Sequence, residues 1–270
     1  MMSLTRWFGC LAFLSAWLIT KPLPAAERVS KQPMTPPLIE CKPLPPFEPT
    51  DWISVGKAFA DSTPVSFQQG WLKQLEPGFK PTSVRTGWDE HSLWVYAELD
   101  DVDIFNPTTK MNEITDPGKA KPDPWFNPIS STAGDVFEIF VRHAEKEPYY
   151  ELHITPQNQA LQLRWPDARA YPKMCHEKTK IDPHVIQGEK VFTSYTKVDR
   201  ERQKWFVLAA IPAQLVSESE SISPNEVWRI SFCRYDFTTG NDAPVLSSTS
   251  PHAARGFHRL HEWGRLKFGR

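Results

Sequence analysis

The sequence predicts an all-β protein, a sandwich or a barrel, and two observations carry that expectation. Short apolar runs with a period of two recur from about residue 47 onward, separated by Pro, Gly, Asn and Asp, as half-buried strands closed by turns require. Proline is roughly twice its average share, 26 of 270 residues, and only 12 residues are glycine. So much proline disfavours long helices. The length suits one large domain, placed by the pattern at residues 50–270.

Taken in order, residues 1–26 read as a secretory signal peptide: Arg6 precedes an apolar run over 7–19, and Ala25 and Ala26 close the segment with small residues. About 13 apolar residues fall short of the roughly 20 that span a bilayer. Removal of this segment takes away Arg6 and Lys21 and no acidic residue, leaving a mildly acidic chain. Secretion or a periplasmic location follows. Residues 27–49 form a proline-rich lead-in with Pro33, Pro36, Pro37, Pro43, Pro45, Pro46 and Pro49, which forbids a helix and denies a central strand its donors.

The clearest strand is 92–99, where Leu93, Val95, Ala97 and Leu99 face one way and Trp94, Tyr96 and Glu98 the other. Gly87-Trp88-Asp89-Glu90 supplies the hairpin turn from a strand at 82–86. Strands at 135–143 and 149–155 pair next, with Phe137, Ile139 and Val141 against Tyr150, Leu152 and Ile154 in the core. Further strands are expected at 160–165, 191–195, 205–211, 228–235 and 265–268. Between 103 and 133 lies a long irregular excursion around Trp125-Phe126, and a stretch of that length in a compact domain is usually functional or disordered.

Charge and motifs exclude several functions. With 31 basic and 32 acidic residues the chain has no basic field for a phosphate backbone, so nucleic acid is not expected. No nucleophile elbow, zinc-protease helix or phosphate loop is present. Asp135 and Glu138 cannot flank one glycosidic bond, because residues three apart on a strand point to opposite faces. The reading is therefore not an enzyme. Three cysteines remain after signal removal, Cys41, Cys175 and Cys233, enough for at most one internal disulfide.

The 135–143/149–155 hairpin leaves Glu138, Arg142, Tyr149, Glu151 and His153 on the face opposite the core. Such a face suits either solvent or a polar ligand. Sugars offer flat C–H faces to aromatic rings and hydroxyls to charged side chains, and the 11 tryptophans permit such a site. Trp94 and Trp205 sit in strand patterns and read as core, whereas Trp125 is expected to be exposed for use. The acidic run over 98–103 makes a calcium ion a candidate at the end of a strand. His258 and His261 share a three-residue spacing, but their segment does not read as a long helix, so joint metal ligation is not expected. The 247–251 stretch reads as a polar loop.

The order of segments resembles carbohydrate-binding module family 9, especially stand-alone secreted bacterial members. The resemblance rests on Gly87-Trp88-Asp89-Glu90-His91-Ser92-Leu93-Trp94-Val95-Tyr96-Ala97-Glu98-Leu99-Asp100-Asp101, then Trp125, Gly134-Asp135-Val136-Phe137-Glu138-Ile139-Phe140-Val141, and Tyr150-Glu151-Leu152-His153-Ile154-Thr155-Pro156. Residues 228–235, 248–251 and 257–268 resemble its closing strands and loop.

The resemblance implies a β-sandwich of two antiparallel sheets, immunoglobulin/jelly-roll-like with long loops, that binds mono- or oligosaccharides or polysaccharide ends without cleaving them. Trp125 falls at the first aromatic clamp and Glu138 at a hydroxyl-binding carboxylate. Phe257 stands where the second clamp tryptophan is expected, and Glu151 where an arginine is, with Arg142 on the same predicted face. The expected carbohydrate-binding set is Trp125, Glu138, Arg142, Glu151, His153 and Phe257. A haem b electron carrier is the alternative, because related sandwiches use Met and His axial ligands; Met111 or Met174 with His143, His153 or His176 are its candidates. A partner-binding domain without a small ligand is the third reading.

Overall fold

The computed structural model describes residues 35–104, 134–238 and 243–270. In chain order the strands are β1 (Leu38–Pro43), β2 (Val65–Ser66), β3 (Thr82–Trp88), β4 (Ser92–Asp100), β5 (Val136–His143), β6 (Tyr149–Ile154), β7 (Ala160–Trp165), β8 (Thr193–Asp199), β9 (Lys204–Pro212), β10 (Val227–Asp236), β11 (Val245–Ser248) and β12 (Gly264–Phe268). Two helices matter for packing, α1 (Trp52–Ala58) and α2 (Ala170–Glu177).

The strands form one curled path, β7-β6-β5-β10-β12-β1-β3-β4-β9-β8. β1 is the strand shared between its two halves. Leu38 to Cys41 pair with β12, then Lys42 and Pro43 pair with β3, both in parallel. Every other pairing between named strands is antiparallel. The expected all-antiparallel sandwich is therefore corrected to a mixed one. The proline-rich lead-in supplies this strand because its prolines sit at the ends: Pro37 precedes the strand and Pro43 is its last residue.

Alternation builds the core. Phe137, Ile139 and Val141 of β5 and Leu152 and Ile154 of β6 face Val95, Ala97 and Leu99 of β4 and Val207, Ala209 and Ile211 of β9, all fully buried. Each large apolar side chain so buried contributes about 1.5–3 kcal/mol relative to exposure. The other faces are covered as well. On one, Val55, Ala58 and Phe59 of α1 and its end pack on Tyr96 and Leu208, and Asp51 caps the helix by accepting from the Ile53 amide. On the other, α2 and the 249–263 segment close over β5, β6 and β7. Pro172 falls in the first turn of α2, where its missing N–H costs no helical bond.

Several expectations are corrected here. The β3–β4 turn lies at residues 89–91, because Gly87 and Trp88 remain paired in β3. The strand expected at 191–195 runs instead over Thr193–Asp199. Residues 247–251 are a buried strand end and its continuation rather than a polar loop. Trp205 is core as expected, whereas Trp94 is half-buried, with its indole N–H on Asp89 at 2.6 Å. All three cysteines are free, Cys41 and Cys233 deep in the interior. Among the described residues no helix is long and apolar enough to cross a membrane.

Candidate functional site

The polar face of the β5–β6 hairpin carries the site. Antiparallel register sets Glu138 opposite His153, and Glu151 opposite Phe140 on one side and Leu163 on the other. The sequence allowed this face to be solvated, but it is buried: Glu138 is 1% exposed, Glu151 5% and His153 0%. Buried charge is costly unless paired, and pairing is what the face displays. His153 places Nδ1 3.1 Å from Glu138 Oε1 and Nε2 2.7 Å from Glu151 Oε1. The Trp165 indole donates to Glu151 Oε2 at 2.8 Å.

A second imidazole closes the cluster from the loop before β12. His258 Nε2 lies 3.4 Å from Glu151 Oε2, and its Nδ1 meets the Tyr149 hydroxyl at 2.8 Å. The Tyr171 ring of α2 stacks on His258, and Phe140 meets that imidazole edge-on. Glu138 Oε2 is buried with no hydrogen-bond partner among the described residues. Glu138 is part of the wall of a cavity of about 310 Å³, with Glu151, Tyr171, Phe257, His258, Tyr235, Arg255 and Arg259, within the size range of small-ligand pockets. The two arginines are engaged elsewhere: Arg255 donates to Pro244 O, and Arg259 forks onto Glu262 at 2.6 and 2.7 Å.

Environment splits the two carboxyls. Burial, and then the neighbouring Glu151 charge, push Glu138 well above the usual carboxylate range. Burial opposes the charge of Glu151 too, but the facing imidazoles and the Trp165 N–H outweigh it and hold that group low. Burial drops His258 to about 4. The floor thus holds two buried carboxyls whose hold on a proton is pushed in opposite directions.

No family profile matches the chain, and no curated protein sequence matches it. Solved structures do. A candidate carbohydrate-binding protein from Bacteroides uniformis aligns over 86% of this chain and 99% of its own at a TM-score of 0.60 and 12% identity. A family 9 carbohydrate-binding module from Caldicellulosiruptor kristjanssonii, in complex with cellotriose, aligns over 86% and 94% at 0.54 and 13%. The same module with glucose aligns over 86% and 96% at 0.53 and 12%. The chain has the family 9 fold.

On that family 9 framework the predicted site residues separate. Glu138, Glu151, His153 and Phe257 come together around the cavity. Phe257 is 3% exposed, its ring wedged among Phe140, Tyr235, Trp71 and His252. Arg142 shares the face but turns away, donating to the His143 and Ala144 carbonyls. Trp125 lies outside the described residues. The sequence reading did not single out Tyr171, Trp165, Tyr235 or Arg259, and it placed Tyr149 on the polar face without including it in the binding set. It weighed His258 only with His261, which is exposed beside Glu262. Tyr149 alone had a usable signal, its place on the same face of β6.

The other candidate groups have clear surroundings. Within the acidic run Glu98 pairs with Arg85, Asp100 with Lys204, and Asp101 with Lys80 and Arg234. Asp101, Asp135 and Asp236 cluster closely enough to hold a metal, but Lys80 lies 3.0 and 2.9 Å from Asp101 and Asp236 and Arg234 lies 3.0 and 3.4 Å from the same pair. Lys80 and Arg234 thus already pair with Asp101 and Asp236. Of the haem candidates, Met111 lies outside the described residues, Met174 and His176 share α2, His143 faces Glu226, and His153 is held between two carboxylates.

Proposed function

We propose that the protein is a secreted, non-catalytic carbohydrate-binding module whose sugar occupies the cavity over Glu138 and Glu151. The observation that carries this reading is the pairing, in one cavity, of two buried carboxyls of opposite protonation preference with the rings of Tyr171 and Phe257. A pyranose needs both a flat apolar partner and fixed donors and acceptors for its hydroxyls. The family 9 fold, seen in neighbours bound to cellotriose and glucose, supports the same ligand class. Tying both carboxyls to one imidazole favours holding over cleavage, since each is committed to a fixed hydrogen bond rather than to a travelling proton. Trp125, from the excursion, is the second stacking ring in this reading.

A tryptophan-fluorescence titration with mono- and oligosaccharides tests it, comparing free with chemically reduced chain ends. Saturable binding is expected, weakened about ten-fold or more by Tyr171→Ala and by Trp125→Ala, the loss of one ring contact of about 1–2 kcal/mol. No response across a broad panel refutes the proposal.

A further inference from the structure

We propose that Glu138, Glu151, His153 and His258 form a binding site for a first-row divalent metal ion of the zinc class, at the floor of the cavity. One ligand atom from each of Glu138, Glu151 and His153 lies within 4.8 Å of the other two. His258 adds Nε2 at 3.4 Å from Glu151 Oε2. The decisive atom is Glu138 Oε2, buried and unpartnered among the described residues. A buried acceptor left so is unfavourable, and neither arginine at the cavity turns to it. A cation on this carboxylate resolves that imbalance.

The donor set selects the ion. Two imidazole nitrogens and two carboxylates suit zinc and its first-row neighbours, whereas calcium requires six to eight oxygens. The outer contacts resemble those that orient metal ligands: Tyr149 fixes the far nitrogen of His258, Trp165 fixes Glu151, and His153 can keep one nitrogen on a carboxylate while the other ligates. Tetrahedral zinc separates its ligand atoms by roughly 3.3 Å. His258 Nε2 lies close to that distance from Glu151 Oε2, at 3.4 Å, while His153 Nε2 lies 2.7 Å from the other oxygen, Oε1, so Glu151 would engage the ion through both oxygens and the shorter contact must open.

The test uses metal alone, so its outcome is independent of sugar binding. Untagged, chelator-treated protein is titrated with zinc chloride by calorimetry and with cobalt(II) by visible absorption. The expected result is one ion per chain at micromolar affinity or tighter, with the intense visible bands of tetrahedral cobalt. Glu138→Gln and His258→Gln should each weaken binding at least ten-fold, while His261→Gln leaves it unchanged. Zinc-edge X-ray absorption on the unmutated protein should show two imidazoles, a readout that holds even if a variant misfolds. No stoichiometric binding, an all-oxygen shell, or affinity retained in both variants overturns the proposal.

Discussion

Trp165 donates its indole N–H to Glu151 Oε2 at 2.8 Å, and the same ring stacks on Tyr149 and His184. The position of the carboxylate is therefore set by a fully buried ring that is itself held on both sides. Trp165→Phe keeps an aromatic ring and removes the donor. It should cost about 1.5–3 kcal/mol, the range for a hydrogen bond to a charged group, read from urea unfolding at neutral pH. A change under half a kcal/mol would show that Glu151 does not depend on this bond.

Arg234 is the cation at the centre of a buried ion network. It contacts Asp101, Asp236, Thr82 and the Asp100 carbonyl, and is 0% exposed. Arg234→Met leaves two buried carboxylates sharing Lys80 alone and should destabilise by about 3 kcal/mol. Lys80→Met should cost less, because the Lys80 side chain keeps 14% of its exposure. Paired denaturant curves give both numbers.

Acid should expose the loop before β12. Burial opposes the Glu262 charge, but the Arg259 fork, His252 and the Ala253 amide outweigh it and lower the carboxyl from 4.5 to about 2. A depressed folded pKa means the stabilisation is complete above the unfolded value and disappears as pH falls through the folded one. The loss therefore falls between about pH 4.5 and 2. Arg259→Gln should flatten that part of the stability profile, which unfolding midpoints across the interval will show.

Gly87 has no room for a side chain. A Cβ there would run into the side chain of Leu44, whose backbone N–H donates a hydrogen bond to Trp88 O at 2.8 Å and is held by it. Gly87→Ala should cost about 1–3 kcal/mol by overpacking. Leu44→Ala in the same chain should recover part of that loss, a coupling that a double-mutant cycle measures directly.

How far the sequence could be read depended on periodicity. The β5–β6 register, the core set of Phe137, Ile139 and Val141, and the common face of Glu138, Glu151 and His153 follow from a period of two and are all present. The covering of that face was not legible. α2 contributes one buried residue, Met174, so it has no apolar stripe, and Pro172 hides it further. His258 and Arg259 reach the site from irregular chain, where no pattern links position to direction. β1 was obscured in another way: its prolines argue against a central strand, yet they fall at its boundaries and leave the amides between them free to pair.

That strand also orders events in time. β1 is made before the other described strands, but the longer of its two ladders, four residues against two, is with β12, the last of them. The seam between the two halves of the molecule therefore cannot close until β12 has been synthesised, the kind of non-local pairing that slows folding. Until then the two halves of the nascent sheet stay unlatched.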